Sequence, residues 1–228
     1  MLTVLAAMKV ELEGPFGLNK SSTYWAECDL VYTGIGRKNA LETLENLKGD
    51  PEMEGILSVG FVGSIDPEVK PGDLCLVDRV QASDRKDSFF SDRDWQDRAS
   101  SALEDNYRTC GLLTVEDTVS GVEEKRSLIK VKGASIVDQE TYWVARAADE
   151  RDLPFLSLRV VSDGLDQELP PKSCYDVDSG RVRPGRVLAW LAREPGRFVD
   201  LTRLGVNSFR ARRRLAGAVN SVVPALMS

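Results

Sequence analysis

A chain of 228 residues, 42% hydrophobic and 29% charged, is sized and composed for one globular α/β domain or two small ones. Its net charge of −6 argues against general nucleic-acid binding, and no apolar run approaches the roughly 20 residues that span a bilayer. Histidine is absent, which excludes Ser–His and Cys–His nucleophile pairs and His-based zinc sites and leaves acid–base work to carboxylates first.

The N-terminal "LTVLAAM" reads as a buried first strand. Its apolar core is too short, and its lead-in too lacking in basic residues, for a signal peptide, so a cytoplasmic protein is expected. "AECDLVYTGIGRKNALETLENLKG" predicts a strand, a glycine turn and a helix closing at Gly49. That turn sets Thr33, Gly34 and Arg37 where helix N–H groups could hold an anion, although a tight strand-to-helix turn is the plainer role. "GILSVGFVGSI" and "KPGDLCLVDRV" follow as strands. The glycines Gly60 and Gly63 admit either a flat ligand or a close strand–helix contact.

Phe89, Phe90 and Trp95 then stand among charges in what reads as a loop leading into a helix. They suit satellite packing, a subunit interface or a lid over an apolar ligand. "CGLLTVEDTV" is a further strand and "GVEEKRSLIKVKG" a helix. Two apolar runs, "ASIV" and "PFLSLRVV", flank the next helix, and both end in carboxylates. After a polar, proline-bearing stretch, two helices are expected, "RVLAWLAREPGRF" interrupted at Pro195 and "VNSFRARRRLAGAVNSVV". The basic run Arg210 to Leu215 reads most plainly as a solvated helix face, with contact to an anionic membrane surface as the alternative. The four cysteines, Cys28, Cys75, Cys110 and Cys174, form no CxxC pair and are expected to be reduced thiols. The alternation predicts a mainly parallel sheet covered by helices, in a single domain over residues 1–228 with a helical extension from about residue 183.

Three acids stand out. Glu11 follows the first strand, Glu140 follows "ASIV", and Asp163 closes "PFLSLRVVS". In a parallel sheet all three emerge at one edge, where they would shift one another's proton affinity. Each also has a bland reading, Glu11 as a solvated first-turn acid and Glu140 and Asp163 as caps.

"AAMKVE", "TGIG", "GFVGSIDPEVKPGDL", "VDQET" and "LRVVSD" resemble, in order and spacing, the purine nucleoside phosphorylase and nucleosidase superfamily. Within it the resemblance is closest to nucleosidases that cleave methylthioadenosine and adenosylhomocysteine. The C-terminal part instead resembles the hopanoid-associated phosphorylase family, whose members are linked to removing adenine from adenosylhopane. The resemblance implies a three-layer α/β/α fold with a mainly parallel mixed sheet, and a homodimer. It casts Asp163 as the acid that protonates the purine N7, Glu140 as the ligand of the ribose hydroxyls, and Glu11 as the residue that positions or deprotonates the attacking water. Asp138, Val62, Gly63, Ser162 and Met8 join the expected substrate contacts.

Three positions depart from the nucleosidase pattern. Gln139 replaces a methionine that packs on the sugar, Phe61 replaces a serine, and Val119 falls near an aromatic that stacks on the base. No metal and no cofactor are implied, and the expected partner is a small purine nucleoside. Water is the expected nucleophile, because, of the arginines and the serine or threonine with which the phosphorylases grip phosphate, only Thr33 and Arg37 are found at the equivalent turns, with no arginine following Gly60 to Gly63 or before Glu11. The alternatives are a phosphate-dependent phosphorylase, a hydrolase of another nucleoside such as futalosine, and a nucleoside-binding protein without catalysis. The "SFFSDRDW" segment is expected near the 5′ tail of the substrate, from the same subunit or a partner.

Overall fold

The apolar runs form strands in the computed structural model, which describes residues 1–13, 18, 23–104, 106–174, 183–192 and 197–228. Strands β1 (Leu2–Ala6), β2 (Cys28–Tyr32), β3 (Gly55–Ser64) and β4 (Leu74–Ala82) are followed by the short β5 (Ser88–Phe90). Then come β6 (Arg108–Thr114), β7 (Ile136–Asp138) and β8 (Phe155–Asp163). The helices are α1 (Lys9–Leu12), α2 (Arg37–Leu47), α3 (Arg93–Leu103), α4 (Val122–Leu128), α5 (Thr141–Asp149), α6 (Pro184–Leu191) and α7 (Arg197–Leu226). The expected turn at Pro195 lies outside the described residues.

Parallel pairing joins β2, β1, β3 and β8 into one block and β4, β6 and β7 into another. The two blocks run in opposite directions, because β3 meets β7 and β4 meets β8 antiparallel. With β8 bonded to both β3 and β4, the strands β3, β7, β6, β4 and β8 close into a ring. The sheet is mixed and mainly parallel, but a single parallel edge does not explain the clustering of the acids. Glu11 and Asp163 leave the first block, whereas Glu140 arrives from the second, where β7 turns back along the last residues of β3.

β8 is buried along its whole length, which is why it reads as one apolar run. Leu156, Leu158 and Val160 face a core shared with α7, and Phe155 and Val161 face a core shared with α5. Helices therefore cover both sides of the sheet, α3 and α7 on one and α2 and α5 on the other. In α7, Ala211, Leu215, Ala218, Val219, Val222 and Leu226 recur at helical spacing and enter the core. The basic run lies on that helix with Ala211 and Leu215 turned inward, and Arg214 donates to Asn106 O and Oδ1 at 3.0 and 2.7 Å. No helix among the described residues is long and apolar enough to cross a membrane.

The aromatic segment departs from the expected loop. Ser88–Phe90 pairs with β4 as a strand, and Asp92 caps α3 by accepting from Trp95 N at 3.0 Å. Phe89 packs on Tyr142 with ring centroids 5.3 Å apart, and Trp95 packs against the α7-side core.

Gly111 in β6 marks the tightest backbone approach, since a Cβ there would lie 1.8 Å from the Gly133 carbonyl oxygen. Two backbones cannot part without moving the strand. Gly111→Ala is expected to destabilise the fold by about 2 kcal/mol, as overpacking does, read as a lower urea midpoint at an unchanged slope.

Candidate active site

Glu11 sits on the short α1 just after β1 and is 2% exposed. Both of its oxygens are held by backbone donors: Met8 N–H to Oε2 and Phe61 N–H to Oε1, each at 2.8 Å. Burial pushes its proton affinity above the usual carboxylate range, against the pull of those two N–H groups and of Arg159. Gly60 is obligatory beside it, because a Cβ there would fall 2.5 Å from Arg159 Nη1 and 2.8 Å from Glu11 Oε1.

Arg159 was not singled out in the sequence, yet it organises the acids. It lies inside β8 at 4% exposure, and Nη2 donates to Ser58 Oγ at 2.6 Å and to Thr141 Oγ1. The same nitrogen lies 3.5 Å from Asp138 Oδ2, and Nε is buried without a hydrogen-bond partner. A charged residue amid "FLSLRVV" was the available signal, since such a residue is almost never buried unless paired.

Asp138 and Glu140, two residues apart, are held in different ways. Asp138 Oδ1 accepts from Thr114 Oγ1 at 2.7 Å, and Oδ2 accepts from Thr141 N at 3.1 Å and from Thr141 Oγ1. It therefore starts α5 and anchors it to β6. Glu140 occupies the N-cap position of α5 but makes no capping bond there. Its Oε1 instead accepts from Gly36 N at 2.5 Å, at the start of α2. Burial, reinforced by the neighbouring Asp138 charge, pushes Glu140 up to about 8.

Asp163 owes its direction to a bulge. Val62 pairs with Val161 and Gly63 with Asp163, which leaves Ser162 as the extra residue of β8. Asp163 Oδ2 lies 2.5 Å from Lys125 Nζ, and Ser162 Oγ lies 2.7 Å from Asp163 Oδ1 and 3.2 Å from Val62 O. Lys125 is completely buried. Its signal was a lysine on the inward face of α4, three residues from both Val122 and Leu128.

These groups open onto a cavity of about 830 Å³. Glu11, Glu140 and Asp163 all line it, as do Met8, Phe61, Val62, Gly63, Val119, Asp138, Gln139 and Ser162. Gln139 Nε2 donates to Thr118 Oγ1 at 3.1 Å on its wall. Of Thr33, Gly34 and Arg37, the three expected at an anion-holding turn, only Arg37 lines the cavity, and its guanidinium lies over the Trp143 ring, 4.0 Å from the centroid. Thr33 Oγ1 donates to Gly34 O at 3.0 Å, and neither residue lines the cavity.

The family model of the phosphorylase superfamily matches residues 27–177, well over half of the chain. The chain belongs to the phosphorylase superfamily. A 5′-methylthioadenosine/S-adenosylhomocysteine nucleosidase of Staphylococcus aureus is 24% identical over 156 residues, covering 60% of this chain and 68% of its own. The futalosine hydrolase of Helicobacter pylori shares the fold with a TM-score of 0.70 at 15% identity, over 98% of this chain and 97% of that one. A nucleosidase of the methylthioadenosine/adenosylhomocysteine type from S. pneumoniae, solved with a transition-state inhibitor, gives 0.70 at 17% identity over 99% of each chain.

The aromatic segment expected near the 5′ tail, from the same subunit or a partner, does not reach this cavity from its own chain. Phe89, Phe90 and Trp95 border a separate hollow with Asp149 and Pro154, and none of them lines the large cavity of their own chain.

The raised Glu140 carries a stability consequence. An acid that holds its proton more tightly folded than unfolded stabilises the fold below its ordinary value of 4.5 and loses that contribution as pH climbs to about 8. The urea midpoint of the ligand-free protein is expected to fall across that window, and Glu140→Gln to flatten the fall, measured by denaturation at a series of pH values.

Proposed function

We propose that this chain uses water to cleave the N-glycosidic bond of a 5′-substituted adenosine, releasing adenine. Membership of the superfamily makes it a nucleosidase or nucleoside phosphorylase acting on purine nucleosides. The observation that carries the finer reading is the gathering of Glu11, Glu140 and Asp163 on one cavity wall system, each held differently.

Breaking the bond builds positive charge on the ribose and negative charge on the departing base. Asp163, at the base end, supplies the proton that lets the purine leave. Glu140 faces the ribose hydroxyls, with one oxygen steadied by Gly36 N–H. Glu11 takes the proton of the attacking water; its fixed orientation and raised proton affinity suit a general base. A preorganised set of carboxylates also stabilises the cationic sugar with no reorganisation at the moment of reaction.

Water is favoured over phosphate by the charges around Glu11. Arg159 is already committed to Asp138, and Arg37 stacks on Trp143 with Asp84 3.8 Å away. A phosphate dianion next to Glu11 would meet a carboxylate with no uncommitted arginine among these two. The apolar lining residues Ile35, Leu41, Leu169, Pro170 and Leu204 suit a bulky apolar 5′ group, for which adenosylhopane is the candidate substrate. A homodimer, and contact of the Arg210 to Leu215 face with a membrane surface, accompany this reading as further proposals.

The test is adenine release from adenosine, methylthioadenosine and an adenosine bearing a long apolar 5′ chain, with and without phosphate. Release is expected to be independent of phosphate, fastest with the apolar chain, and slowed about 100-fold or more in Asp163→Asn. Phosphate-dependent release would identify a phosphorylase instead. Tight binding of adenine nucleoside analogues without turnover would leave a binding protein.

A further inference from the structure

Lys125 does not touch the cavity, yet its whole hydrogen-bonding capacity is spent at the cavity's base end. Its ammonium has three N–H groups and three acceptors: Asp163 Oδ2 at 2.5 Å, Gly164 O at 2.9 Å and Gln167 O at 3.0 Å. At 0% exposure it is among the largest fully buried side chains of the protein. A buried ammonium is costly unless paired, so α4 would place an apolar residue here if packing were the only need.

We propose that Lys125 is a positioning residue that acts on the departing base through Asp163. The inference rests on the reading of Asp163 as the acid that protonates that base.

The proton inventory around Asp163 explains how. Lys125 occupies Oδ2, so the acid proton of Asp163 belongs on Oδ1. Ser162 carries one hydroxyl hydrogen but lies within bonding reach of both Val62 O and Asp163 Oδ1. Ser162 Oγ donates to Oδ1 at 2.7 Å and holds that oxygen in place, and in the proposed reaction it is Oδ1 that delivers the proton to the base when substrate is bound. As Oδ1 gives up its proton, negative charge grows on the Asp163 carboxylate. The ammonium on Oδ2 already points at that charge, out of reach of water. Lys125 thus decides which oxygen carries the proton and stabilises the carboxylate left behind.

The experiment compares wild type, Lys125→Met, Asp163→Asn and the double variant on two substrates. One is the adenine nucleoside that wild type turns over, and the other is 4-nitrophenyl riboside, whose leaving group departs without a proton. Lys125→Met is expected to lower kcat for adenine release about 30- to 100-fold, with KM little changed, and to leave 4-nitrophenolate release within about threefold of wild type. The double variant is expected to be no slower than Asp163→Asn alone, because both changes remove the same function. Lys125→Arg, which keeps the charge, is expected to recover part of the rate.

An equal slowing of both substrates, or a double variant slower than Asp163→Asn by the full Lys125→Met factor, overturns the proposal and leaves Lys125 a purely structural anchor. So does normal adenine release by Lys125→Met while Asp163→Asn is slow. Should Lys125→Met not fold alone, the double variant buries no unpaired charge, and its comparison with Asp163→Asn still decides. Absence of adenine release in wild type overturns the nucleoside reading itself and the inference with it.

Discussion

A guanidinium buried inside a sheet must be answered by anions, and the answer given to Arg159 shapes the whole site. It lies in β8, the strand that closes the ring between β3 and β4, at 4% exposure. Asp138 is paired with it directly, while Glu11 and Glu140 feel its field. Burial raises the proton affinity of both glutamates, and the nearby cation offsets that only in part. The acids remain close together because one fixed positive charge sits behind them. It cannot be lost to titration, since a guanidinium stays charged in proteins.

Each carboxylate then takes its character from its own backbone neighbours. Glu11 is clamped by two N–H groups, Asp138 is absorbed into the start of α5, and Glu140 reaches the opposite wall at Gly36. Asp163 alone is answered by an ammonium. The same functional group thus serves as a structural anchor at Asp138 and, in the proposed reaction, as base, sugar ligand and acid, and the differences lie in what surrounds each carboxyl group.

Much of this was legible in the chain. Acids at strand ends pointed to Glu11, Glu140 and Asp163, and all three reach one cavity. Alternating apolar runs and helices anticipated a mainly parallel sheet covered by helices, and helices do cover both faces. What escaped is non-local. The opposite running of the two strand blocks depends on pairings between residues far apart, such as Leu74 with Val160. Arg159 and Lys125 looked like interruptions of apolar patterns, and only their distant partners reveal what they do. The segment around Phe89 read as a loop because its strand is three residues long, too short for periodicity to register. The cap reading was attached to Glu140, whereas the residue that bonds the first turn of α5 is Asp138, two positions earlier, and only the path of the chain into α5 separates them.

The bulge at Ser162 limits how this strand can change over time. Side chains alternate along a regular strand with period two, yet the consecutive residues Ser162 and Asp163 both line the cavity, which the extra residue of the bulge allows. Losing or gaining a single residue in β8 would shift its register against β3 and break the pairing of Gly63 with Asp163 that places the acid, even with every other side chain intact. Replacing a residue of the cavity wall leaves that register in place, whereas a change in the length of β8 does not.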